Sequence, residues 1–334
     1  MSGSLRGLLR DHWEALAAEP IGSAKKMRVA ALPVKGSTGP ISAAVDASGV
    51  RRLLIPLAPN ESVASAADSA LHWRERGLED AKVFVRYADL SCDRPDLADV
   101  FNGLCADILV AVEAAPSRPL KAARTVVARW RALFAPGAVP LGADRLAGLF
   151  GELVVLERLL RSHRGASHLW TGPSGHRHDF TGAARSIEVK TSTATEGRRV
   201  RIHGLDQLEE PAGGCLDLVW IRVEQSTGGR CVPALVDDLL QLADDGHDLL
   251  SRLAEVGYRP ADRGHYVDVL FRVTEERWYE VGAGFPRVTL ASLVPPAPPV
   301  TDVHYTIDLL ADPVPALGDA DIEAHVAAAT GVGQ

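Results

Sequence analysis

Residues 178–192, HDFTGAARSIEVKTS, constrain the fold more than any other stretch. Ser186–Ser192 reads as a β-strand, and side chains two apart on a strand share a face. Glu188 and Lys190 therefore point one way, while Ile187, Val189 and Thr191 point the other. With the apolar face packed on a helix, the charged face lines a cleft, and Asp179 approaches Glu188 from the preceding strand. Two neighbouring carboxylates repel, and a hard divalent cation relieves that repulsion. Mg²⁺ suits such a pair, because it takes one or two carboxylates, keeps several waters and accepts phosphate oxygens. Lys190 then has a task no carboxylate can fill: orienting or deprotonating a water and balancing negative charge growing at phosphorus. A set of this kind hydrolyses phosphodiesters. The competing reading is an exposed ion pair.

The pattern alone is inexpensive, since Asp80-Ala81-Lys82 supplies its short half as well. That acid sits in the polar GLEDA turn, whereas Glu188 is flanked by apolar residues inside a strand. Lysine is also scarce, six against thirty arginines, which favours a specific use for Lys190. Upstream, DRLAGLFGELVVLERLLRS reads as a helix from Asp144, its N-cap, to Ser162. Glu152 falls between Leu156 and Leu159 on its wheel, and Glu157 between Leu146 and Phe150. A carboxylate in an apolar sector needs a partner, and helix geometry does not choose between the two.

Composition sets the frame. A chain of 334 residues, 46% hydrophobic and 24% charged, is an ordinary globular protein of two or three domains. No run of eighteen apolar residues supports a membrane span, and MSGSLRGLLRDHWEAL reads as an amphipathic helix rather than a signal peptide. Cys92, Cys105, Cys215 and Cys231 are widely spaced, so reduced thiols in a cytoplasm are expected. The net charge of −7 does not favour a nucleic-acid partner. Arg161–His203 reverses the balance locally, with eight Arg or Lys against three Asp or Glu. No GxxxxGK[ST] loop is present, so P-loop ATP hydrolysis is excluded.

Strand signals in KMRVAALPV and PISAAVDASGVRRLLIPL, with an Asp-Ala-Ser-Gly turn, predict a hairpin or meander. AKVFVRYA predicts another strand, and helical spacing covers 96–115 and 119–134. A linker at 135–140 bounds this region. After the 144–162 helix come strands through Asp179, SIEVKTS and RRVRIHG, then a short helix from Leu205 and the apolar strand LDLVWIRVE. Helices over PALVDDLLQLADD and HDLLSRLAEVG follow, then strands in HYVDVLFRVTEERWYEV and VHYTIDLL. The expected architecture is mixed α/β (α+β): an N-terminal α/β domain (1–140), a central core (141–225) and a C-terminal helical and strand region (226–334) packed on that core.

GLFGELVVLERLL, LWTGPSGHRHDF, SIEVKTS and VRIHGLDQLE together resemble the PD-(D/E)XK nuclease superfamily, which includes restriction endonucleases and Holliday-junction resolvases. More narrowly they resemble uncharacterised PD-(D/E)XK-motif proteins of bacterial phage-defence loci. The likeness spans most of the chain, but its specific motifs lie within about 145–210. The resemblance implies a restriction-endonuclease-like core with a central mixed sheet flanked by helices. It implies Asp179 and Glu188 as metal acids, Lys190 as the catalytic lysine, Glu152 as the helix acid completing the metal site, and Gln207 near the scissile phosphate. His178 stands where the motif has Pro.

The activity so implied is Mg²⁺- or Mn²⁺-dependent DNA endonucleolysis in anti-phage defence, with DNA as partner, a homodimer for double-strand cutting, and an associated ATPase or other defence protein. Further candidate nucleic-acid contacts are Arg177 and His178 beside Asp179, Ser192, and the strand row Arg199, Arg201 and His203. Charge guarding an exposed strand edge accounts for that row about as well. Ser192 has no His/Asp arrangement that would make it a nucleophile, and Trp170 and Trp220 read as core. The rival functions are a non-catalytic nuclease-fold adaptor and an RNA- or structure-specific nuclease.

Overall fold

The computed structural model describes residues 2–18, 27–64, 66–68, 70–80, 83–134, 139–292, 303–310 and 314–331. Ala81, Lys82 and most of the expected 135–140 linker lie outside the described residues. Two compact units emerge: 1–138 with 244–251 and 259–262, and 139–243 with 252–258 and 263–334.

The first unit opens with α1 (Ser2–Ala18), then β1 (Arg28–Gly36), β2 (Gly39–Val45), β3 (Arg51–Pro56), β4 (Ala66–Asp68), β5 (Leu71–Asp80) and β6 (Val83–Cys92), and closes with α2 (Ala98–Ala114) and α3 (Pro119–Phe134). The expected meander is present as antiparallel β1–β2–β3, the Asp46-Ala47-Ser48-Gly49 turn joining β2 to β3. The sheet order is β1-β2-β3-β6-β5-β4. β5 escaped the sequence reading because its WRERGLED run is polar on both faces.

The second unit contains Asp179, Glu188 and Lys190. Its elements are α4 (Ala143–Ser162), β7 (Phe180–Thr181), β8 (Arg185–Ser192), β9 (Arg199–His203), β10 (Cys215–Cys231), α5 (Val232–Leu242), the end of α6 (Gly246–Glu255), β11 (Leu270–Val281), β12 (His304–Asp308) and α7 (Asp319–Thr330). The sheet runs β11-β10-β8-β7, with β8 parallel to β10 and the outer pairs antiparallel, a mixed sheet as expected. α4 packs on β8 and against α5 and α7. On the other face lies a two-stranded layer of β9 and β12. Its Val200, Ile202 and Ile307 share a buried cluster with Leu216, Leu218, Trp220 and Tyr279. Among the described residues no helix is long and apolar enough to cross a membrane.

Two expectations are corrected. Residues 205–210 form turns, not a short helix. Pro211 disfavours helical backbone at Glu210, and so few residues cannot offset the cost of helix nucleation. Gln207 instead closes the turn, its Oε1 accepting from the His203 amide at 2.9 Å. The N-cap of α4 is Gly142; Asp144 sits in the first turn, where the helix dipole favours an acid. The C-terminal part of the chain also carries the helix α7, a helix within the expected helical and strand region.

Candidate active site

β8 is buried along its first half, Glu188 included at 2% exposure. The Lys190 Nζ stands 2.8 Å from the Glu188 Oε1, so the two charges on one strand face meet directly. The other oxygen, Glu188 Oε2, is buried and has no hydrogen-bond partner. An unpartnered buried carboxylate oxygen is costly unless something else coordinates it.

Asp179 immediately precedes β7. Continuing the register from the Phe180–Ile187 pair sets it opposite Glu188. Its Oδ2 accepts from the Val189 amide at 2.7 Å, in place of the next strand bond. The Asp179 carbonyl accepts from the Thr171 and Gly172 amides, so the 171–174 turn is tied over it. Gly172 is needed there: a Cβ would meet Asp179 Oδ1 at 2.9 Å.

Glu152 comes from α4, whose approach to β8 depends on its neighbour Gly151. A Cβ on Gly151 would lie 2.0 Å from Thr191 Oγ1. Glu152 Oε2 accepts from the Trp170 indole at 2.8 Å. Glu157, the other candidate, is engaged by Arg230 at 2.7 Å and by Arg161 at 2.8 Å. Burial pushes its carboxyl up, but those arginine hydrogen bonds hold it below the usual range. Two acids on one helix thus have opposite fates, and only Glu152 faces Asp179 and Lys190.

The three acids share one electrostatic environment. Glu152 is pushed up to about 8 by burial and then by Asp179, against the Trp170 hydrogen bond and Lys190. Glu188 is raised well above the carboxylate range by burial, then by Asp179, with Glu152 adding to the effect and Lys190 opposing it. Asp179 is raised by burial, opposed by the Val189 amide and Lys190. Clustered acids that resist ionisation mark a functional site more often than a structural one.

Among the described residues no group of three or more His, Cys, Asp or Glu side chains is arranged to hold a metal ion by itself. The donors fit a cation that brings much of its own shell: an orphaned Glu188 Oε2 beside repelling acids, all oxygen, suits Mg²⁺ completed by water and phosphate oxygens.

The remaining candidates fall elsewhere. His178 is buried at 3% exposure, so its ring is out of reach of a phosphate. Burial and Arg177 push it down to about 4 against the opposing effect of the Gln207 and Glu209 backbone, and its Nε2 is buried without a hydrogen-bond partner. Arg177 is exposed and pairs with Glu209 at 3.5 Å. Ser192 lies at the end of β8, on the Lys190 face. Arg199, Arg201 and His203 occupy the outward face of β9, opposite Val200 and Ile202, and so point away from Lys190. Trp170 and Trp220 are core, as expected, both at 0% exposure. The sequence reading missed the Trp170 hydrogen bond to Glu152. A tryptophan in a short loop gives no signal that its ring N–H meets a helix acid 18 residues earlier.

No curated protein and no solved structure matches the chain. Residues 9–310 match the family described as "Putative PD-(D/E)XK family member, (DUF4420)", so this chain belongs to that PD-(D/E)XK family.

Proposed function

We propose that the protein is a metal-dependent nuclease that hydrolyses DNA phosphodiesters at the Asp179–Glu188–Lys190 site, with Glu152 completing the acidic set. The observation that carries this reading is the buried Glu188, bound to Lys190 on one oxygen and unpartnered on the other, beside two further acids whose ionisation is opposed. A fold that kept these residues only for stability gains nothing from three mutually repelling carboxylates, which argues against the adaptor reading.

Glu188 Oε2 and Asp179 are the donors for a divalent cation, with Glu152 close enough to steer its electrostatics. When bound, Mg²⁺ or Mn²⁺ would supply Lewis-acid stabilisation of the phosphoryl oxygens and lower the pKa of a water. Lys190, fixed by Glu188, holds its ammonium where charge grows on the scissile phosphate. The Val189 amide and the 171–174 turn keep Asp179 in register with Glu188. Gln207 closes its own turn through Oε1, which leaves its side-chain NH₂ to contact substrate. Arg177, Ser192 and the Arg199, Arg201 and His203 row serve as contacts to more distant backbone. The likeness to proteins of phage-defence loci supports a defensive role and a partner protein, and a single site per core favours a dimer for double-strand cutting.

The test is cleavage of supercoiled plasmid with Mg²⁺, Mn²⁺ or EDTA. Wild type nicks or linearises DNA only with metal, and Lys190→Ala and Asp179→Asn each lower the rate by on the order of 10²–10³. Metal-independent cleavage, or full activity in both variants, refutes the assignment.

A further inference from the structure

The face of the sheet that carries Glu188 and Lys190 continues past them into a cluster of arginines. Trp220 on β10 is the register partner of Lys190, and Arg222 is the partner of Ser192. One strand further across, Arg277 on β11 pairs with Trp220, and Glu275 pairs with Arg222. Register partners share a sheet face, so Lys190, Ser192, Arg222, Glu275 and Arg277 all project to the same side. With strands about 5 Å apart and residues about 3.3 Å along each, the Arg222 backbone lies about 8 Å from that of Lys190.

Arg198, from the segment before β9, joins them. Its guanidinium contacts Glu275 Oε1 at 2.5 Å, Arg277 Nε contacts the same oxygen at 3.0 Å, and Arg222 Nη1 lies 3.6 Å from Oε2. One carboxylate thus serves three guanidinium groups. Burial opposes its ionisation, but hydrogen bonds from Arg198 and Arg277 hold it below the usual range, so it stays charged. Arg222 is stacked on Trp220, 5.0 Å from the ring centroid, and donates to the Gly197 carbonyl. The Arg277 side chain is 41% exposed, so the cluster is open to solvent.

Three cations on one anion leave two positive charges uncompensated in a half-buried setting, a repulsion that a further anion relieves. Guanidinium forks match phosphate oxygens in shape and charge. We propose that Arg198, Arg222 and Arg277 form a second phosphate-binding site, which takes a DNA backbone phosphate next to the one cleaved, with Glu275 holding the guanidinium groups in place and setting the affinity. The proposal rests on the nuclease reading above. It assigns substrate positioning to cations that share a face with Lys190, whereas the Arg199, Arg201 and His203 row faces away.

The test is binding of a short fluorescein-labelled DNA duplex to the full chain carrying Lys190→Ala, measured by anisotropy over a range of salt concentrations. Adding Arg277→Ala weakens binding several-fold, and adding Arg222→Ala as well weakens it further. Together they flatten the slope of log affinity against log salt by about one, the loss of one phosphate contact. Glu275→Gln, which frees the guanidinium groups, tightens binding several-fold and steepens the slope. An ion pair that merely braces the fold would loosen the protein without tightening DNA binding. Unchanged affinity and slope in Arg277→Ala, or weaker binding in Glu275→Gln, overturns this proposal while leaving the nuclease reading intact. No duplex binding by the Lys190→Ala parent, together with no metal-dependent cleavage by wild type, overturns both.

Discussion

Replacing Glu152 by Gln stabilises the metal-free protein, and the gain depends on pH in a way the site dictates. In the fold this carboxyl titrates near 8, against 4.5 for an ordinary glutamate, chiefly through burial and the neighbouring Asp179. A raised acid pKa means that the folded state holds the proton more tightly. The stability it contributes is complete below about pH 4.5 and is lost progressively as the pH rises towards 8. At pH 7 the unfolded chain lies ~2.5 pH units above its own titration point while folded Glu152 is still mostly protonated. At ~1.4 kcal/mol per unit the wild type forfeits about 3 kcal/mol. Gln has no proton to lose and keeps an oxygen for the Trp170 indole, so Glu152→Gln recovers that amount: about 3 kcal/mol at pH 7, about 1 at pH 5 and almost nothing at pH 4. Urea unfolding in EDTA across pH 4–8 measures it, with hydrogen exchange at α4 and β8 amides assigning the transition to the second unit. A variant no more stable than wild type at pH 7, or a gain that does not change with pH, refutes the reasoning.

Gly151→Ala drives a methyl into Thr191 Oγ1, where a separation of 2.0 Å leaves no room. It should destabilise by about 1–3 kcal/mol despite the ~1 kcal/mol helix-propensity gain, and Thr191→Ala in the same chain should restore part of the loss in urea midpoints. Trp170→Phe removes the hydrogen bond that opposes protonation of Glu152, so Mg²⁺-induced rises in melting temperature should begin at higher pH than in wild type. Asp217 is fully buried, with Arg185 at 2.6 Å and His325 at 3.1 Å. Asp217→Asn takes the buried partner from Arg185, leaving it only Glu280 at 2.9 Å, and should cost about 3 kcal/mol by thermal melting, whereas loss of only a few tenths would show that Glu280 alone suffices for Arg185.

Much of the site could be read from residue order because strand periodicity is local. Glu188 and Lys190 share a face for the same reason in the sequence as in the fold, and they meet at 2.8 Å. Asp179 needed only a short return strand to come opposite Glu188. The helix acids were ambiguous because Glu152 and Glu157 both interrupt apolar sectors. Their difference lies in partners distant along the chain, Trp170 for one and Arg230 for the other. The arginine cluster was illegible for the same reason, since Arg222 and Arg277 become neighbours only through the β10–β11 register. The Arg199, Arg201 and His203 row was visible as an alternation, but alternation does not say which face is covered, and Val200 and Ile202 took the buried side. The turn at 205–210 looked helical by composition, until Pro211 and the Gln207 side chain are counted.

β8 is paired by β10 along its length but by β7 over only two residues. Beyond them the Val189 amide is closed by a side chain, the Asp179 carboxylate, rather than by a strand. Whatever changes the charge on that carboxylate, a proton or a cation, changes the strength of a backbone hydrogen bond in the central sheet. The Val189 N–H is therefore a gauge built into the protein: its chemical shift and exchange rate report the state of the acidic centre without any added probe, and the sheet's edge is as firm as the ionisation of one aspartate allows.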